Sequence, residues 1–102
     1  MPMLHTVNKS PFERNTLSTC LQHALPGSSV LLFEDGVYAA VSGTAHSAAV
    51  QAALANRSVY VLGPDLRARG MDLNQIIDGI QVVDYEGFVD LTVAHDNVQS
   101  WV

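Results

Sequence analysis

At 102 residues, 48% of them hydrophobic and only 15% charged, the chain is sized for one domain that buries its own core without staples. No apolar run reaches the roughly 18 residues of a membrane helix, and the opening MPMLHTVNKS lacks the charged start and apolar stretch of a secretory leader. The net charge is −5, with six acids and no Lys or Arg from Gly70 to Val102, a balance that disfavours a phosphate backbone and suits a basic protein partner.

The chain is therefore expected in the cytoplasm, where a lone cysteine, Cys20, agrees with a reducing compartment. So few charges on a small domain also predict that part of its apolar surface is covered by a partner.

Strand-like and helix-like pieces alternate along the sequence. MLHTVN (3–8) reads as a first strand. SPFE then carries the signals of a helix start: Ser10 as N-cap, Pro11 at the first helical position and Glu13 closing a capping box. Leu17, Leu21 and Ala24 form its apolar stripe, and Pro26 and Gly27 end it. SSVLLFED (28–35) holds a continuous apolar run, as a strand covered on both faces does, and Asp35-Gly36 reads as the turn out of it.

The next helical stretch, 44–56, lines one face with Ala45, Ala48, Ala49, Ala52 and Ala53. Small side chains there predict close packing on the sheet, with contact to another subunit as the alternative. SVYVLG (58–63) is a third strand, a short helix over 64–70 ends at Gly70, and IQVVDY (80–85) is a fourth strand. A last helix, about Glu86 to Asp96, places Phe88, Leu91, Thr92 and His95 on one face. The tail NVQSWV is too short for a further element on this reading, and Trp101 serves as an anchor onto the core or onto a neighbour. The order βαβαβαβα predicts an α/β fold, a mostly parallel sheet of four or five strands sandwiched by helices in a single domain, 1–102.

Missing motifs exclude several chemistries. No G-x-G-x-x-G and no G-x-x-x-x-G-K-[ST] follows any strand, which leaves nucleotide-phosphate cradles unsupported. Glu34-Asp35 alone is a weak sign of a phospho-acceptor. His5, His23, His46 and His95 fall on different elements without ligand spacing, so no metal site is expected, and no cofactor. No G-x-S-x-G elbow specifies hydrolysis.

Cys20 remains. Counting from Leu17 at 100° per residue, it lies at the edge of the apolar stripe, half-exposed in a lone domain. Thr16, Glu13 and His23 stand one turn away; a protonated His23 would favour the thiolate and Glu13 would oppose it. A mid-helix position gains little from the helix N-terminus. The residues alone thus favour a packing cysteine over a reactive one.

MLHTVNKSP, LLFEDGVYAAVSG, VYVLGPDLRARG, VVDYEGFVDLTVAH and the closing SWV resemble, in order and in register, the DsrH/TusB family, from Met3 to Trp101. The resemblance implies a DsrE-like three-layer sandwich. It also implies a place in a cytoplasmic sulfurtransferase complex, with two DsrE/TusD-like and DsrF/TusC-like sister subunits in a heterohexamer holding two copies of each. Such a complex passes persulfide sulfur to a small DsrC/TusE-like acceptor. For this chain no cofactor and no direct contact with nucleic acid or membrane are expected. One branch feeds 2-thiolation of the tRNA wobble uridine, and the other works in intracellular sulfur oxidation.

The principal catalytic cysteine of these complexes belongs to a sister subunit. A cysteine at the position of Cys20 is typical of the sulfur-oxidation branch, which makes that branch the main expectation and Cys20 a candidate auxiliary persulfide carrier. The tRNA branch is the alternative, as is a purely structural subunit. A free-standing flavodoxin-like ligand-binding domain is a third reading. Rhodanese-like enzymes cradle their persulfide in converging N–H groups, whereas the N–H groups around a mid-helix cysteine are already bonded. Persulfide on Cys20 would need stabilisation from a partner surface. The alanine face and the SWV tail are the expected sister contacts, so removing 98–102 should weaken assembly.

Overall fold

β2 shows how the sequence makes the sheet. All four residues of Ser29–Leu32 are buried, because helices cover both faces of the strand. The computed structural model describes residues 3–102. β1 (Met3–Val7), β2, β3 (Ser58–Leu62), β4 (Gln81–Val83) and β5 (Asn97–Trp101) form one sheet in the order β4-β3-β2-β1-β5, and every neighbouring pair is parallel.

Register assigns the two faces. His5, Val30 and Val59 share one row and Val7, Leu32 and Val61 another. Apart from His5, these residues pack with Leu17 and Cys20 of α1 (Thr16–His23), Val50 of α2 (Ser47–Ala53) and Leu66 of α3 (Gly63–Ala68) in the main core cluster. Leu4, Leu31 and Leu62 alternate to the other face. There α4 (Tyr85–Ala94) lies across, with the Phe88 ring edge-on to Phe33 at 5.7 Å and Nε2 of His95 3.1 Å from Ser29 Oγ. The result is the expected three-layer α/β sandwich. β1 to β4 are laid side by side with their connections on one face, and the return to β5 crosses the other, as right-handed crossovers require.

Four local expectations are corrected. α1 begins at Thr16, six residues after Ser10. The Ser10 carbonyl accepts the N–H groups of Glu13 and Arg14, and its Oγ accepts that of Phe12, which closes an isolated turn. Ser10 and Pro11 are buried, so this turn steers the chain from β1 toward the sheet face before a helix can run along it. Asp35-Gly36 is likewise no simple turn: Glu34–Ala40 is a 3-10 helix that buries Val37, Ala39 and Ala40.

In α2, Val50 and Ala53 face inward while Ala48, Ala49 and Ala52 are exposed, as is Ala45 ahead of the helix. A buried valine removes more apolar area from water than an alanine, so Val50 sets the rotation of the helix. Finally, the tail is a strand. β5 pairs with β1 residue by residue, from Met3 with Asn97 to Val7 with Trp101.

Candidate functional site

Cys20 has no exposed surface. The predicted edge position is corrected, because the short α1 turns Leu17 and Cys20 together into the core, among Val7, Val30, Leu32 and Val37. Burial pushes the thiol up to about 12, and the nearby charge of Arg57 only partly opposes this. His23 is exposed and donates its Nδ1–H to the Thr19 carbonyl at 2.8 Å, and Glu13 lies outside the helix. The helical N–H groups are engaged, and the Cys20 carbonyl itself accepts the Ala24 N–H at 2.8 Å. A thiol so placed packs in the core, and its burial disfavours the thiolate.

Arg57 was not singled out by sequence. Its Nε donates to the Ala24 carbonyl at 2.8 Å and its Nη1 to Asn56 Oδ1 at 2.9 Å, so a cation closes the C-terminal end of α1, where the helix dipole favours positive charge. No local pattern announces a bond spanning 33 residues.

Two of the four histidines, His5 and His23, meet at Trp101, and the other two stand apart. His5, buried in β1, accepts the indole Nε1–H of Trp101 on its Nδ1 at 3.0 Å. His23 lies 5.7 Å from the Trp101 ring, and His46 packs edge-on against Phe12 at 4.9 Å. His95 donates Nδ1–H to the Leu91 carbonyl at 2.7 Å. Among the described residues, no group of three or more His, Cys, Asp or Glu side chains could hold a metal. Beside His5 and His23 opens a cavity of about 430 Å³, also lined by Met3, Leu25, Gly27 and Ser28; Cys20 does not line it.

His5 has its affinity for a second proton lowered by desolvation and by Arg57. Its indole partner can only donate, so protonated Nδ1 would face another N–H. The unfolded chain therefore takes up the proton first. The stability this adds is fully present above 6.5, the ordinary value, and is lost as pH falls below it toward the folded-state value. We expect urea midpoints, measured from about pH 8 to about pH 5, to fall more steeply for wild type than for His5→Asn, which keeps an acceptor and does not titrate. Equal slopes would contradict the assignment.

At the carboxyl ends of β2 and β3, where open α/β sheets commonly bind ligands, side chains bond one another. The Glu34 N–H donates to Asp65 Oδ2 at 2.6 Å. Arg69 donates from Nη2 and Nε to Asp35 Oδ1, at 2.8 and 3.1 Å, and from Nη1 to the Asp65 carbonyl at 3.2 Å. That bond to Asp35 raises the Arg69 pKa further. The mouth of the sheet is latched by these groups, and a smaller cavity at its rim presents Glu13 and Asp35, a poor lining for an anion.

This architecture is shared with solved structures. The ychN protein from E. coli superposes with a TM-score of 0.80 at 18% identity over 99% of both chains. A protein of unknown function, MTH1491 from Methanobacterium thermoautotrophicum, gives 0.73 at 17% identity, over 96% of this chain and 97% of that one. Those likenesses define the fold class, a three-layer α/β sandwich on a five-stranded parallel sheet. The DsrH like protein family matches residues 9–98, and the chain belongs to this DsrH/TusB family. It is 38% identical over 101 residues to Protein TusB of Photorhabdus laumondii, covering 97% of this chain and all of that protein. Protein TusB of Erwinia tasmaniensis is 43% identical over 99 residues and that of Escherichia coli K12 38%, each with 97% of this chain and the whole relative covered. Among the described residues no helix is long and apolar enough to cross a membrane.

Proposed function

We propose that this chain is the TusB-type subunit of a cytoplasmic persulfide relay serving 2-thiolation of the tRNA wobble uridine. In this relay it is a structural member whose own cysteine carries no sulfur. What supports the reading is the full-length similarity, at 38 to 43% identity, to proteins named TusB. The sister subunits hold the principal cysteine, the assembly contains two copies of each subunit, and a small acceptor protein takes the sulfur onward. The sulfur-oxidation branch was favoured by Cys20 alone. A core thiol pushed up to about 12 gives that branch no chemical support.

Chemically, relay requires a thiolate to attack the outer sulfur of a donor persulfide, forming a new S–S bond as the donor's S–S bond breaks and the donor leaves as a thiolate, which depends on ionisation and on access. Burial of Cys20 works against both. The chain's part is then to hold its sisters in register.

The test is the 2-thiouridine content of tRNA in a strain lacking this chain, complemented with wild type, Cys20→Ser or Cys20→Ala. We expect thiolation to fall on deletion and to return with all three. Cys20→Ser should cost about 1–2 kcal/mol of stability for its buried hydroxyl, and Cys20→Ala separates that cost from chemistry. Thiolation untouched by deletion would end the tRNA reading. Restoration by wild type alone would make Cys20 a working thiol.

A further inference from the structure

We infer that the outer face of α4 is where this subunit meets a sister subunit, through an apolar ridge framed by acids that fits apolar side chains framed by Lys or Arg. The inference rests on the relay reading and adds to it the face and the chemistry of its partner.

No residue of α4 is fully buried. Its inner side, with Phe88 and Leu91, is half-covered by the sheet, while Tyr85, Val89 and Val93 are 61%, 57% and 79% exposed. Their spacing of four aligns them along one side of the helix. β-Branched valines lose rotamer freedom in a helix, so at solvated positions they bring cost without gain. Beside this ridge run Glu86 and Asp90, also exposed and four apart, which repel each other across one turn. Residues 70–102 contain no Lys or Arg to answer them. Among the described residues the ion pair is Arg69–Asp35, away from this helix. Arg67 of α3 shares a cavity with Asp84 and Gly87 at the start of the helix, but Glu86 and Asp90 form no ion pair among the described residues, so the helix is an apolar ridge with acids along it.

Charge selects the occupant. A second copy meeting this face about a two-fold axis would set Glu86 and Asp90 against acids of the same strip. A nucleic acid is repelled outright. An acceptor that visits and leaves would bare the ridge between visits, whereas a permanent subunit keeps it covered, and permanent interfaces are the more apolar ones. A sister subunit with a basic frame around its own apolar patch satisfies both requirements.

The experiment is co-expression of the full chain with its two sister subunits, followed by gel filtration and an affinity measurement across a salt series. Wild type should co-elute, with affinity falling as salt rises. Val89→Asp with Val93→Asp should weaken assembly at least tenfold. Glu86→Lys with Asp90→Lys should weaken it about tenfold and abolish or invert the salt dependence. This second pair removes no apolar contact, so it decides the matter if the first pair fails to fold. Unchanged assembly in the charge-reversed pair would overturn the inference and leave the relay reading intact. So would intact assembly with weakened acceptor binding, which would give the face to the acceptor. Failure of wild type to co-elute would instead defeat the relay reading, and this inference with it.

Discussion

Gly36→Ala is expected to lower the unfolding free energy by about 3 kcal/mol or more. A Cβ at position 36 would stand 2.1 Å from the Val7 carbonyl oxygen and 2.9 Å from its carbon. Both are backbone atoms at the end of an inner strand, so no rotamer change relieves the clash. The same oxygen accepts the Phe33 N–H at 3.1 Å, and moving it opens the end of the β1–β2 ladder. Gly36 has no left-handed φ; what demands glycine is close approach of the 3-10 helix to β1. Gly70 is the matching control, with φ of +70° and nothing within 4 Å of a Cβ. Gly70→Ala should cost only the left-handed strain of about 1–2 kcal/mol. Urea midpoints of the two variants decide between these causes. A Gly36→Ala loss no larger than that of Gly70→Ala would mean that the 3-10 helix is not seated on β1.

Removing residues 98–102 is expected to cost about 3–5 kcal/mol, the scale of deleting a core tryptophan and a large part of a small domain's whole stability. The truncation strips most of β5 from β1 and leaves β1 as the sheet edge. It also removes Trp101, which packs against the main core, and orphans the buried Nδ1 of His5. Any loss of co-purification with sister subunits then follows from unfolding rather than from a lost contact. Trp101→Phe separates the contributions: it keeps a ring and deletes the N–H, for about 1 kcal/mol. A truncated chain with an unchanged urea midpoint would contradict the role of β5 and return the tail to the interface.

The parts of the fold legible in the sequence are those whose burial leaves a local trace. SVLL and VYVL are continuous apolar runs because helices cover both faces of β2 and β3. Phe88, Leu91 and His95 recur at helical spacing because α4 has one inner side. β5 left no such trace: Asn97, Gln99 and Ser100 are exposed edge residues whose pairing with β1 is made by backbone groups common to every residue. Ser10 and Glu13 carry a true capping pattern, yet the buried Pro11 holds it in an isolated turn.

The site was harder to read for the same reason. Cys20 stands about 60° round the helix from Leu17, and only the assembled core shows that the buried face of α1 is wide enough to take both. Arg57 on Ala24 and Arg69 on Asp35 join residues 33 and 34 positions apart, and only the assembled sheet brings them together. The alanines of α2 gave a clear stripe, but Val50 outweighed them and turned most of the stripe to solvent.

An intact mass spectrum of every subunit, taken after the reconstituted complex has met a persulfide donor, tests most directly whether this chain works in sulfur relay without loading sulfur on its own thiol. A reductant-removable gain of sulfur is expected on a sister subunit and none on this chain, for wild type and Cys20→Ser alike. A gain of one sulfur atom on this chain that vanishes in Cys20→Ser would contradict the proposed role.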